Sequence, residues 1–272
     1  MSKLEGTGKL DGKVAIVTGA GASGGLSEIH GTGQAIAILF AREGAKVVLV
    51  DMSEERARIT LDQIRSEGGD ASIVVADLGE VSECQRIVEK TLEIYGGIDI
   101  LINNAAIGAT GTSLLTASVD FYHKVIAVNL TAPYMMCRAA VPVMIDGGGG
   151  AIVNITSVAA LRGTGGRGNT AYATAKAGLY GLMIDISDAF GKQGIRINNV
   201  APGSVATPMR NRDATASGLT LEQINFPARI PLGFEGDAYD IARACLFLAG
   251  PDGRYISGVT LPVDGGKVAT SR

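Results

Sequence analysis

The chain has 272 residues, a formal charge of −3, 46% hydrophobic and 19% charged side chains. That balance suits a folded protein with a sizeable core and lacks the basic excess expected of a nucleic-acid binder. The length allows one or two domains.

In chain order, short runs rich in Val and Ile predict strands at Val14–Thr18, Lys46–Val50, Ala71–Ala76, Asp99–Asn103, Ala151–Thr156, Ile195–Ala201 and Val259–Val263. Amphipathic stretches between most of them predict helices at Gln34–Arg42, Glu54–Glu67, Val81–Tyr95, Val119–Met144 and Ala171–Lys192. Strands alternating with helices imply a parallel sheet covered on both faces, which is why the strands read as unbroken apolar runs. Neither a linker nor an internal repeat divides the chain. The expectation is α/β, a single doubly wound Rossmann-type domain over residues 1–272, its core at about 10–266. The polar tract Val205–Arg229, with Pro208 and Pro227, interrupts the rhythm and reads as a functional loop beside the substrate.

The 38 glycines are about twice the ordinary share, so glycine is expected to serve particular turns. The first strand runs into Thr18-Gly19, and Gly31-Thr32-Gly33 opens the next helix. Glycines there let the backbone approach a phosphate, and the helix N-terminus offers unpaired N–H groups. The second strand ends in Asp51, 18 residues after Gly33, where a carboxylate can accept from the adenosine ribose hydroxyls and repel a 2′-phosphate. Met52-Ser53-Glu54-Glu55 follow, without a Lys or Arg. NAD is therefore expected over NADP.

Ser157 ends a strand, and Tyr172 and Lys176 follow on one helix face, four residues apart. An ammonium near a phenol favours the phenolate and fits the tyrosine for acid/base work on an alcohol or ketone oxygen. Neither His30 nor His123 has a ligand-spaced partner, and no metal site is expected. Cys84, Cys137 and Cys245 make no disulfide framework, which points to a reducing, cytoplasmic setting. No apolar run is long enough for a bilayer, so no membrane partner is expected.

From about Leu10 to Gly266 the sequence resembles the classical short-chain dehydrogenase/reductase family. The resemblance rests on the glycine turn, Asp77, Asn103-Asn104-Ala105-Ala106, Val128-Asn129-Leu130, Ser157, Tyr172 and Lys176. Pro202-Gly203, Thr207-Pro208-Met209 and Val263-Asp264-Gly265-Gly266 extend it. It implies that Tyr172 exchanges the proton, Ser157 orients the substrate oxygen, Lys176 holds the nicotinamide ribose, and Asn129 sits at a helix irregularity and holds a relay water. It further implies a cofactor site made of Gly19, Ser23, Gly31, Thr32, Gly33, Asp51, Met52, Asp77, Leu78, Asn104, Ala105, Tyr172, Lys176, Pro202, Gly203, Val205 and Thr207. Asp77 would bind the adenine amino group, and Val205 and Thr207 the carboxamide. A homotetramer is implied, paired through the two long helices, with Ala171, Ala175, Gly178 and Gly181 as a face for close approach.

Three departures stand out. Eleven residues, 20–30, separate Gly19 from Gly31, about eight more than is usual in the family. Ser23, or alternatively Ser27, is then the phosphate-contacting serine, and 22–30 would fold over the diphosphate. The Ser157-to-Tyr172 separation of 15 exceeds the usual one by about two, widening a loop at the pocket mouth. Phe234 stands where many relatives have arginine.

The expected activity is NAD-dependent interconversion of a secondary alcohol, apolar or alicyclic, and its ketone. The alternatives are a 3-oxoacyl thioester reductase of fatty-acid type and a non-catalytic cofactor-sensing protein. The second is disfavoured by the complete set of four catalytic positions.

Overall fold

The computed structural model describes residues 6–22, 30–108, 112–163, 170–208 and 230–270. Seven strands form one parallel sheet in the order β3-β2-β1-β4-β5-β6-β7. They are β1 (Val14–Thr18), β2 (Lys46–Asp51), β3 (Asp70–Val75), β4 (Ile100–Asn103), β5 (Gly150–Ile155), β6 (Ile195–Pro202) and β7 (Thr260–Val263). Among the described residues the α-helices are α1 (Thr32–Arg42), α2 (Glu54–Ser66), α3 (Val81–Tyr95), α4 (Val119–Ile126), α5 (Ala132–Asp146), α6 (Thr170–Phe190) and α7 (Ala238–Ala249).

Alternate strand residues feed two cores. Ala15, Val17, Val47, Leu49 and Ile102 pack with α1, α2 and α7 on one face. Ile16, Val48, Val50, Leu101 and Ile152 pack with α3, α5 and α6 on the other. Burying both faces removes any polar alternation from the central strands. The strand order reverses at β1, whose neighbours are β2 and β4. In open α/β sheets the crevice at such a point, beyond the carboxyl ends of the strands, holds the ligand.

One predicted element changes in detail, and one helix is added. The helix expected over Val119–Met144 is interrupted by a π-helical turn at Ala127–Thr131, joining α4 to α5. Helix α7 was not among the predicted elements, although its signal is present. Asp237 and Asp240 form a reciprocal capping box, and Ile241, Cys245 and Leu248 repeat at helical spacing on its buried face.

Candidate active site

The turn after β1 is built against the end of β4. Thr18 Oγ1 accepts from the backbone N–H groups of Asn104 and Ala105, at 2.9 and 3.0 Å. Asn104 Nδ2 donates to the Thr18 and Gly19 carbonyls, at 2.8 and 3.2 Å. Gly19 has φ +65°, a left-handed conformation that favours glycine. A Cβ on Gly33 would lie 2.1 Å from the Gly19 carbonyl oxygen, so α1 reaches the turn only because this residue is glycine. Gly31 caps α1 without a side chain, and the first turn of the helix, which includes Thr32, carries no acid. The N–H groups of that turn lack intrahelical acceptors and suit a diphosphate.

Asp51, at the end of β2, accepts three hydrogen bonds. Its Oδ2 accepts from Gly21 N at 3.0 Å, and its Oδ1 from Ser53 N at 3.0 Å and Arg56 Nη2 at 3.1 Å. This corrects the expectation that no basic residue stands beside it. Arg56 is five residues away, and the first turn of α2 folds it back onto the carboxylate. Ser53, rather than Asp51, caps α2 by accepting from Arg56 N.

The remaining expected cofactor residues rim the same edge of the sheet. Met52 is exposed, and Leu78 is buried. Asp77 is exposed and accepts from Gly79 N at 2.8 Å. Pro202 ends β6, and Gly203 N donates to the Val263 carbonyl. A Cβ on Gly203 would press on Asp264 Cα at 2.6 Å. Val205 is buried and bridges to Gly236. Thr207 lies just beyond, half-buried.

The catalytic candidates converge from α6, β5 and the π-helical turn. Lys176 is buried, and its Nζ donates to the Ile155 carbonyl at 2.8 Å. The same Nζ lies 5.6 Å from the Tyr172 ring centroid. Burial pushes the ammonium down from 10.5 to about 7. Ser157, two residues beyond Ile155, has extended backbone, and its Oγ accepts from Ala159 N at 3.1 Å. Its hydroxyl hydrogen can still be donated. Tyr172 packs in an apolar cluster with Ile107, Phe121, Val125 and Leu130. Asn129, buried on the π-helical turn, accepts from Ile107 N at 3.0 Å and donates to Ile107 O at 2.9 Å. Ile107 thus ties Asn129 to the packing around Tyr172.

Beneath the site runs a buried ladder of amides that spacing arguments did not anticipate. Asn103, Asn154 and Asn199 are register partners on β4, β5 and β6. Asn103 Nδ2 donates to Asn154 Oδ1 at 2.9 Å, and Asn154 Nδ2 to Asn199 Oδ1 at 3.0 Å. Three asparagines set within apolar strands were its signal in the sequence.

Several expected features lie outside the described residues: Ser23, Ser27, and most of the 22–30 insertion, of the widened loop before Tyr172 and of the tract after Pro208. Of the small-residue face expected on α6, Gly181 is exposed with open space around it, and the other three residues pack within the chain. Ala171 and Ala175 are buried against Val125, and Gly178 faces Leu130 of the same chain. Among the described residues no group of His, Cys, Asp and Glu could hold a metal ion, and no helix could cross a membrane.

The donor set fits a nicotinamide dinucleotide. The capless N-terminus of α1 suits the diphosphate. The Lys176 amine has one acceptor among the described residues and can donate further, as a ribose diol requires.

A family model described as Enoyl-(Acyl carrier protein) reductase matches residues 25–267. The chain is 37% identical over 258 residues to 2,5-dichloro-2,5-cyclohexadiene-1,4-diol dehydrogenase LinX of Sphingobium indicum, covering 95% of this chain and 97% of that one. It is 34% identical over 261 residues to the 3-oxoacyl-(acyl-carrier-protein) reductase FabG of Thermotoga maritima, covering 96% and 99%. Among solved structures, one from Beutenbergia cavernae superposes with a TM-score of 0.86 at 32% identity, covering 97% and 100%. That chain is assigned as an NAD(P)-dependent gluconate 5-dehydrogenase and holds NADP at low occupancy.

Proposed function

The chain belongs to the short-chain dehydrogenase/reductase family and is an oxidoreductase, and on that premise we propose that it interconverts a secondary alcohol and its ketone with NAD. The observation that carries the reading is the buried Lys176 amine, held by the Ile155 carbonyl and set beside the Tyr172 ring.

The cofactor, when bound, supplies the hydride acceptor or donor. The turn at Gly19, Gly31, Thr32 and Gly33 would hold its diphosphate, and Asp51 and Met52 its adenosine. Asp77 and Leu78 would serve the adenine, and Asn104 and Ala105 the middle of the cofactor. Pro202, Gly203, Val205 and Thr207 would hold the nicotinamide end. Tyr172 Oη takes the alcohol proton in oxidation and returns it in reduction. Ser157 donates to the substrate oxygen and fixes its distance from that hydroxyl. Lys176 would hold the ribose, and its amine is set beside the Tyr172 ring. Asn129 holds a water that passes the proton outward.

The substrate is an apolar or alicyclic secondary alcohol. Similarity to a cyclohexadiene-diol dehydrogenase supports this, as does exposed Leu161 close after Ser157. The test is a panel of secondary alcohols and cyclic diols, followed by NADH absorbance. Turnover confined to sugars or charged hydroxy acids would overturn the substrate reading. Similarity to a 3-oxoacyl-thioester reductase supports a second reading, and NADPH-dependent reduction of an acyl-carrier substrate would favour it. The three cysteines are unpaired and buried, which supports a reducing, cytoplasmic setting. The assembly is a homotetramer. Exposed Tyr134 on α5 and exposed Tyr180 and Ile184 on α6 support an interface along these helices.

A further inference from the structure

We propose that Arg56 is a specificity-determining residue for the adenosine end of the cofactor, pairing with Asp51 beside a 2′-hydroxyl and turning to a 2′-phosphate when one is present. The inference rests on the reading that Asp51 faces the adenosine ribose. Its consequence is that the chain takes NADP as well as NAD, with a narrower preference than a lone Asp51 would impose.

The argument begins with what holds each partner. Asp51 is only 9% exposed at its side chain and keeps two backbone donors, Gly21 N and Ser53 N, that do not depend on Arg56. Its position therefore survives loss of the arginine. Arg56 is held differently. One Nη2–H reaches Asp51 at 3.1 Å, while the side chain is 34% exposed. A guanidinium carries five donors in a planar fork, and among the described residues Asp51 is the acceptor it uses, so capacity remains for a second one. Its main chain is anchored at both ends. Arg56 N donates to Ser53 Oγ, and Arg56 O accepts from Ala22 N in the turn after β1. The backbone thus stays beside the cofactor turn while the head is able to exchange partners.

Charge decides the outcome. A lone carboxylate would repel a 2′-phosphate, but a carboxylate paired at 3.1 Å presents little net charge. Nearby Glu54 and Glu55 would oppose the phosphate, but Glu54 is already paired with Arg58 at 2.6 Å. The arginine then supplies the cation that a phosphate dianion requires.

The test is calorimetric titration of the cofactor-free protein with NAD and with NADP, for the wild type and for Arg56→Gln, Arg56→Lys and Asp51→Asn. Thermal melts would establish that each variant is folded. The wild-type dissociation constants should lie within about tenfold of each other, and Arg56→Gln should raise the NADP-to-NAD ratio by about tenfold or more, the worth of a charge-assisted hydrogen bond. Arg56→Lys should recover part of the difference. Asp51→Asn should lower the ratio. If Arg56→Gln leaves the ratio unchanged while Asp51→Asn lowers it, Arg56 only braces α2, and the proposal fails with the ribose reading intact. If Asp51→Asn leaves the ratio unchanged, Asp51 does not face the ribose and both fall.

Discussion

The roles proposed for Lys176 and Tyr172 rest on a few interactions, each open to a single substitution. Tyr172→Phe removes the hydroxyl and keeps the ring that packs with Val125 and Phe121. Turnover should fall by about 10²- to 10⁴-fold with the NAD dissociation constant essentially unchanged. Steady-state kinetics beside calorimetry would show it, and a loss under about tenfold would mean another proton donor. Lys176 also makes stability depend on pH. Its folded value is about 7 and its ordinary value 10.5, so between those limits the unfolded chain binds more protons. Stability of the cofactor-free protein should therefore rise with pH through that window, by up to about 1 kcal/mol per pH unit from this group. The contribution is present above 10.5 and lost as the pH falls to about 7. Lys176→Met should lack this slope. Urea unfolding of both proteins at pH 7 and pH 9 measures the difference, and parallel slopes would mean that Lys176 does not titrate in this range.

At the level of elements, the amide ladder ties β4, β5 and β6 together beside the proposed catalytic groups. Asn154 is its middle rung and the residue before Ile155, whose carbonyl holds Lys176. Asn154→Ala would strand the Asn103 amide and the Asn199 carbonyl in a buried layer, at a cost on the order of 1–3 kcal/mol each. Denaturant unfolding should show the midpoint falling with its slope unchanged. A destabilisation under about 1 kcal/mol would mean that the neighbours find other partners. The π-helical turn works at the same scale. It buries Asn129 and directs its amide to Ile107, and Gly178 lets α6 approach Leu130 of that turn.

For the whole molecule, the exposed residues on α5 and α6 are the outcome that matters. With Ala171, Ala175 and Gly178 of α6 turned inward, exposed Tyr134, Tyr180 and Ile184, with Gly181 beside Tyr180, are the candidates for a partner. Light scattering at micromolar concentration should give the mass of a tetramer. The double substitution Tyr180→Asp and Ile184→Asp should yield smaller species that still bind NAD. A monomeric wild type would overturn the assembly, as would a tetramer indifferent to these changes.

The sequence by itself determined the strands, most helices and the spacing of Ser157, Tyr172 and Lys176, because these are local. Apolar runs, 3.6-residue periodicity and a four-residue separation are written in consecutive residues. The tertiary structure decided what depends on separate segments meeting. Arg56 reaches Asp51 because α2 starts immediately after β2 and turns back over its end. The amides of Asn103, Asn154 and Asn199 form a ladder only when β4, β5 and β6 come into register. The face of α6 that is buried depends on where α4 and the π-helical turn pack. Lys176 loses its water to a core drawn from several elements, so the depth of its burial could be read only from the folded chain.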